Sequence, residues 1–92
     1  MPYDTVLETS ILGAILTDPR SMYEIAPVLK EDMFYNRQNE IVYRVCRRLD
    51  AEGKNIDLFT VSEELKKEKE FNDERIMEFL IYLTGQCVST AN

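Results

Sequence analysis

The chain has 92 residues, enough for one small domain with a single hydrophobic core. Its formal net charge is -6, which opposes sequence-independent binding to nucleic acid because that binding depends on Lys and Arg neutralising phosphates. It contains no histidine, so Ser/His/Asp and Cys/His nucleophile systems and histidine-containing zinc sites are excluded.

A first helix is predicted to begin at Asp4 or Thr5. Either residue can act as its N-cap, and Thr5 and Glu8 have the spacing of a capping box. Apolar residues then recur at helical spacing and are expected to form its buried stripe: Leu7, Ile11, Leu12, Ile15 and Leu16, widened by Ala14.

The next segment is predicted to be a second, interrupted helix. Asp18 can cap it, and Pro19 suits its first helical position. Pro27 has no amide hydrogen and its ring clashes with the carbonyl four residues earlier, so we expect a kink or break at Ala26. A short apolar hinge is then expected to seat the chain on the core: Met33, Phe34 and Tyr35.

The third predicted helix has the clearest pattern in the chain. Asn36 is a good N-cap, and Gly53 can take the left-handed conformation that ends a helix. One face is apolar: Ile41, Val42, Val45, Cys46 and Leu49. The opposite face is charged and is expected to meet water or a partner: Glu40, Arg44, Arg47, Arg48 and Glu52.

A fourth helix is predicted after Gly53. Asp57 or Thr60 can cap it, and Thr60 and Glu63 have capping-box spacing. Its buried side is expected to comprise Leu58, Val61 and Leu65. The run from 63 to 70 alternates acidic and basic residues, which is typical of a solvated helix face.

A fifth helix is predicted from 73 to about 86, capped by Asn72. Four residues form its main apolar stripe: Ile76, Phe79, Leu80 and Leu83. Met77 and Ile81 lie outside that stripe, and an apolar surface this wide does not suit a helix packed on one side only. Either other helices or a second chain must cover it, so Met77 and Ile81 are candidate interface residues.

No residue pattern in the chain predicts catalysis, cofactor binding or metal binding. The three glycines are isolated, which excludes a phosphate-cradling loop. The adjacent carboxylates at 31–32 and 63–64 point to different sides of a helix and lack an apolar setting that would raise a pKa. The third helix's Arg44, Arg47 and Arg48 could hold a phosphate, but we favour a self-paired surface with Glu40 and Glu52 in so acidic a chain.

The sequence also predicts where the protein resides. Cys46 and Cys87 stand where apolar residues would fit, and their spacing suggests neither zinc nor a disulfide framework. We interpret both as small buried thiols in a reducing compartment. No segment is apolar and long enough to span a membrane, and no secretory signal is recognisable. We therefore expect a single cytoplasmic domain, residues 1–92, with no membrane partner.

Many weak signals recur in a characteristic order and spacing along the chain. They are Glu8, residues 11–16, Asp18 and Pro19, Phe34 and Tyr35, residues 41–43, Gly53, residues 56–58, Thr60 and Val61, Leu65, and the closing residues 80–83 and 89–92. Together they resemble the N-terminal domain of the bacterial replicative DNA helicase, the DnaB family, over essentially the whole chain. There are departures: Asn39 stands where the family often has His, and Arg75 and Ile76 replace a common Gly-Gly pair.

The resemblance implies an all-α fold, a compact bundle of about five orthogonally packed helices. In family members the position of Asn92 is followed by a helical hairpin, a linker and a RecA-like ATPase domain, and we expect this chain to stop before all three. The parent would be a hexameric ring ATPase that translocates on single-stranded DNA and unwinds the replication fork. ATP and magnesium would bind its motor domain, so no cofactor is expected in this chain.

The resemblance also implies the partners of this chain. N-terminal domains of the family form a collar above the motor ring, pair with one another and contact primase, and the helicase loader is a further candidate. We therefore expect a non-catalytic assembly and docking module that self-associates weakly through Met77 and Ile81. Single-stranded DNA would be bound by the parent's motor and not by this chain.

Two other classes of protein remain open at this point. One is the helicase-binding domain of a primase or another helical replication adaptor, which would bind a helicase partner and not pair within a ring. The other is a helix-turn-helix DNA-binding protein that uses Arg44, Arg47 and Arg48. A DNA titration at two salt concentrations separates the second class, because phosphate contacts give a steeply salt-dependent affinity.

Overall fold

The structure, a computed structural model, describes residues 4–71 and 74–86, which contain five α-helices and two 3-10 turns. No strand occurs within those residues, so the all-α prediction is confirmed. The 3-10 turns are Pro19–Ser21 and Glu31–Met33. The helices are α1 (Thr5–Thr17), α2 (Met22–Ile25), α3 (Arg37–Ala51), α4 (Leu58–Leu65) and α5 (Ile76–Thr84).

The four longer helices pack around one hydrophobic core. α1 packs against α3 and α5, and α4 packs against the same two helices. The apolar stripe predicted for α3 is confirmed, since all five of its residues are buried in this core. They meet buried residues of the other helices: Leu12 and Ile15 of α1, Val61 and Leu65 of α4, and Leu80 and Leu83 of α5.

Both ends of α3 are set by local sequence, as predicted. The side chain of Asn36 accepts a hydrogen bond from the Asn39 amide at 3.0 Å, which satisfies one of the unpaired donors of the first turn. Gly53 has a φ of +72°, and the amide of Lys54 donates to the Leu49 carbonyl at 2.9 Å. This left-handed residue and back-bonded amide form a Schellman-type helix end.

The start of α1 confirms one of its two predicted caps, because Asp4 caps the helix. The capping box predicted for Thr5 and Glu8 does not form. The Glu8 side chain is buried and accepts hydrogen bonds from the amides of Tyr35 at 2.6 Å and Asn36 at 3.3 Å, and from Asn39 Nδ2 at 3.1 Å. A carboxylate at a helix N-terminus also offsets the positive end of the helix dipole. Glu8 therefore fixes α1 against the beginning of α3.

The segment between α1 and α3 contains the predicted break. Asp18 accepts a hydrogen bond from the Arg20 amide at 3.2 Å, but it begins a 3-10 turn and not the expected longer helix. α2 ends at Ile25, directly before Ala26, because Pro27 cannot donate the next helical hydrogen bond. The predicted break at Ala26 is therefore confirmed, and the second helix is shorter than expected.

Three apolar residues expected to be buried are exposed to solvent: Leu7, Met33 and Tyr35. Of the predicted hinge, only Phe34 is buried, with its ring centroid 4.9 Å from that of Tyr43. The Tyr43 hydroxyl donates to the Leu29 carbonyl at 2.6 Å. Of the three residues predicted to pack on the core, Phe34 alone is therefore buried there.

α4 and α5 follow the predicted stripes. Of the two predicted caps for α4, Asp57 is used, and it accepts from the Thr60 amide at 2.7 Å. Leu58, Ile76 and Phe79 are partly buried against the core. The predicted cap of the fifth helix at 72 and its first residue at 73 lie outside the described residues, as do Cys87 and the family-like residues 89–92.

Candidate functional site

The arginines of α3 face acidic side chains of α4 and of the turn that follows it. Arg44 Nη2 lies 2.7 Å from Glu68 Oε1. Arg48 bridges two carboxylates, with Nη2 3.0 Å from Glu64 Oε1 and Nη1 3.4 Å from Glu68 Oε2. These ion pairs join α3 to α4 and neutralise much of the positive charge on this side of the domain.

We call Arg44, Arg47 and Arg48 the α3 arginine face. The guanidinium of Arg47 lies 3.9 Å from the carboxylate of Glu31, in the 3-10 turn before α3. The predicted self-pairing is therefore present, but the predicted partners Glu40 and Glu52 are wrong. Both pair with other basic residues near them in sequence, because packing of α4 brings its own acids across from the arginines.

The alternating run 63–70 is only partly the solvated face that was predicted. Glu63 and Lys66 form an exposed pair at 2.9 Å, as expected. Glu64 faces α3, and the hydrogen bonds that it accepts from Lys67 and Arg48 lower its pKa. A lowered pKa means that the folded state favours the charged carboxylate.

The outward side of α5 leaves apolar groups in water, as the sequence predicted. Met77 is 39% exposed and Ile81 is 55% exposed, four residues apart and therefore neighbours on the helix surface. We call this pair the α5 outer face. Leu80 and Leu83 of the same helix are fully buried, so α5 contacts the core through its other side.

An open groove of about 790 Å³ lies between α4 and the beginning of α5. We call it the α4–α5 groove. Its apolar lining is contributed by Phe59, Phe71, Ile76 and Met77. Its charged and polar lining is Ser62, Glu63, Lys66, Glu74, Arg75 and Glu78.

Among the described residues, three exposed aromatic residues were not identified from the sequence: Tyr23, Phe59 and Tyr82. Phe59 is 69% exposed, and a helical projection could have found it, because it falls outside the stripe formed by Leu58, Val61 and Leu65. Tyr82 is 51% exposed, with its ring centroid 6.3 Å from that of Phe79. No sequence signal marked Tyr82 as exposed, since it lies three residues after Phe79 and so has the spacing of the apolar stripe.

Cys46 is a buried thiol, as interpreted from the sequence. Burial raises its pKa to about 12, so the nucleophilic thiolate is scarce near neutral pH. No group of three His, Cys, Asp or Glu side chains able to hold a metal ion occurs within residues 4–71 and 74–86. In that same part of the chain, no helix is long and apolar enough to cross a membrane.

Comparison with known proteins gives one consistent result. The family model described as "DnaB-like helicase N terminal domain" matches residues 1–92. A relative from Rhodothermus marinus, named "Replicative DNA helicase DnaB", is 31% identical over 91 residues, which are 99% of this chain and 10% of that protein. One of the same name from Leifsonia xyli subsp. xyli is 32% identical over 91 residues, 99% of this chain and 20% of that protein.

A third relative of the same name, from Buchnera aphidicola subsp. Baizongia pistaciae, is 28% identical over 92 residues. That alignment covers 100% of this chain and 20% of the relative. The chain therefore spans between a tenth and a fifth of the length of these three curated relatives.

Proposed function

This chain belongs to the family of DnaB-like helicase N-terminal domains, and we propose that it is a non-catalytic part of a replicative DNA helicase that serves ring assembly and the docking of primase. The observation that carries this proposal is the α5 outer face, where Met77 and Ile81 expose adjacent apolar groups on a helix whose Leu80 and Leu83 are fully buried in the core. Such surface is typical of an association site.

In this proposal the parent protein is an ATP-dependent, DNA-unwinding hexamer, and its motor lies in the four fifths or more of its length that this chain does not match. ATP and magnesium do not fit the described residues. Gly53 and Gly85 are isolated, so no glycine-rich loop can cradle phosphates, and no carboxylate cluster suits a cation. The reaction chemistry and the binding of single-stranded DNA therefore belong to the motor.

Self-association is proposed to occur through the α5 outer face, as pairing of domains within the hexamer. A helix face with Met77 and Ile81 four residues apart presents two adjacent apolar groups to a partner surface. The α3 arginine face is proposed as a secondary protein contact. Between 29% and 37% of each arginine side chain remains exposed, enough to meet acidic groups of primase or of a helicase loader.

The two alternative classes have less support. Membership in this family favours a helicase domain over the helicase-binding domain of a primase. A helix-turn-helix DNA-binding protein would need cations available for phosphates, whereas Arg44 and Arg48 are engaged by Glu64 and Glu68.

The proposal is tested by sedimentation equilibrium of the purified chain over a range of concentrations. We expect weak self-association that Ile81→Asp abolishes, because a buried unpaired carboxylate opposes association. Val28→Asp is the matched control, since Val28 is exposed and lies outside α5, and it should leave association unchanged. Far-ultraviolet circular dichroism confirms that both variants keep their helices. Association that survives Ile81→Asp would contradict the proposed surface.

A further inference from the structure

The α4–α5 groove has the form of a receptor for a helix. One wall is a single stripe of α4 at positions i, i+3, i+4 and i+7: Phe59, Ser62, Glu63 and Lys66. The other wall is formed by residues 74–78, at the beginning of α5. α4 has 8 residues and is therefore about 12 Å long, so the groove can take about two turns of a second helix laid along it.

The middle of the groove is apolar and open to solvent. Phe59 is 69% exposed and Met77 is 39% exposed, whereas Phe71 is buried. Exposure of these phenylalanine and methionine side chains to water is unfavourable in free energy. A partner that buries them therefore gains binding free energy. Aromatic anchors of this kind commonly dominate the energy of an interface.

Among the described residues, the charged part of the groove lining has more acidic than basic groups. It includes carboxylates on Glu63, Glu74 and Glu78 and two basic groups, on Lys66 and Arg75. Each basic group is paired with an acid of the same wall, Lys66 with Glu63 at 2.9 Å and Arg75 with Glu78 at 3.3 Å. Exposed pairs of this type are weak, so lysines of a partner can share these carboxylates at little cost.

We propose that the α4–α5 groove binds a basic amphipathic helix of a partner protein. The apolar side of that helix packs on Phe59 and Met77, and its lysines or arginines approach Glu63, Glu74 and Glu78. This proposal rests on the proposed docking function, but it does not depend on self-association. Met77 belongs to both surfaces, whereas Ile81 does not line the groove, so a substitution at Ile81 tests self-association separately from binding in the groove.

The test uses a designed peptide probe and the purified chain. The basic probe is a fluorescently labelled amphipathic helix of four turns with leucines at i, i+3, i+4 and i+7 and lysines on both flanks. The acidic probe is the same peptide with glutamates in place of the lysines. Fluorescence anisotropy should show saturable binding of the basic probe and binding of the acidic probe weaker by about tenfold or more.

Mutations assign that binding to the groove. Phe59→Ala should weaken binding of the basic probe by about tenfold or more, whereas Val28→Ala, at an exposed site outside the groove, should change it by less than about twofold. Ile81→Asp should leave probe binding intact while it removes self-association, so failure of either proposal can be recognised separately.

Three results would overturn the proposal. They are absence of saturable binding, equal binding of the acidic and basic probes, and binding that Phe59→Ala does not weaken. If Phe59→Ala instead abolishes self-association, the occupant of the groove is a second copy of this chain and the partner helix is ruled out.

Discussion

Glu8 of α1 accepts a hydrogen bond from the side-chain amide of Asn39 in α3 at 3.1 Å, and both side chains are buried. The same carboxylate accepts a hydrogen bond from the backbone amide of Asn36, the N-cap of α3. A single side chain therefore links two helices far apart in sequence and satisfies donors at the start of α3 that would otherwise be left without helical partners. The orientation of α1 on α3 depends on this polar link as well as on apolar packing.

Replacing Glu8 by Ala should lower the free energy of unfolding by about 3 kcal/mol, because hydrogen bonds to a charged group are lost and buried donors are left without an acceptor. Urea denaturation followed by circular dichroism measures this change. Glu24→Ala is the matched control, since Glu24 is exposed, and it should change stability by less than about 0.5 kcal/mol. Equal effects of the two substitutions would contradict the role of Glu8.

Local features of the sequence predicted the helices well. The cap and stop of α3, at Asn36 and Gly53, depend on interactions within a few residues, so they are recognisable without the fold. The role of Glu8 could not be predicted in this way, because its partners lie 27 or more residues along the chain. The same limit applies to Glu64. The pattern of its own helix predicts a solvated side chain, whereas the packing of α3 against α4 pairs it with Arg48.

The exposure of apolar residues was predicted with mixed success for the same reason. Met77 and Ile81 fall outside the stripe of their own helix, and the structure leaves both exposed. Leu7 fits the stripe of α1 by spacing, yet none of the described helices buries it. Helical spacing indicates which residues share a face, but it does not state how wide a face the neighbouring helices cover.

Replacing Gly53 by Ala should lower the free energy of unfolding by about 1 kcal/mol, because the φ of +72° is unfavourable for a residue with a Cβ. A Cβ at this position meets no atom within 4 Å, so the cost comes from the backbone alone. Gly85→Ala is the control at another helix end, where φ is -78°, and it should change stability by less than about 0.5 kcal/mol. Thermal unfolding that gives equal losses would contradict the left-handed helix end.

Replacing Glu64 by Gln should reduce the loss of stability in acid. The hydrogen bonds from Lys67 and Arg48 lower the pKa of Glu64 in the folded state. Its contribution to stability is therefore present above the unfolded-state pKa, about 4.3, and is lost as the pH falls through the lower folded-state pKa. Urea unfolding between pH 6 and pH 3, as an approximate range, should show a shallower decline for Glu64→Gln than for the wild type. Parallel declines would contradict this assignment, and Glu24→Gln should follow the wild type.

The purified chain should not bind DNA through the α3 arginine face, because Arg44 and Arg48 are engaged by acids of the same domain. Anisotropy titrations with labelled single-stranded and duplex DNA at about 50 mM and about 200 mM salt measure this directly. We expect no saturable, salt-dependent binding. Submicromolar affinity that falls steeply with salt, and that Arg48→Ala weakens, would support the DNA-binding alternative.

Methyl NMR of the unmodified chain measures whether this domain associates through the outward side of α5. With labelled methionine and isoleucine methyl groups, spectra recorded at increasing protein concentration should show the largest shifts for Met77 and Ile81. Met22, which is buried in α2, should report little change. Shifts confined to other parts of the domain, or none at all up to millimolar concentration, would contradict the account.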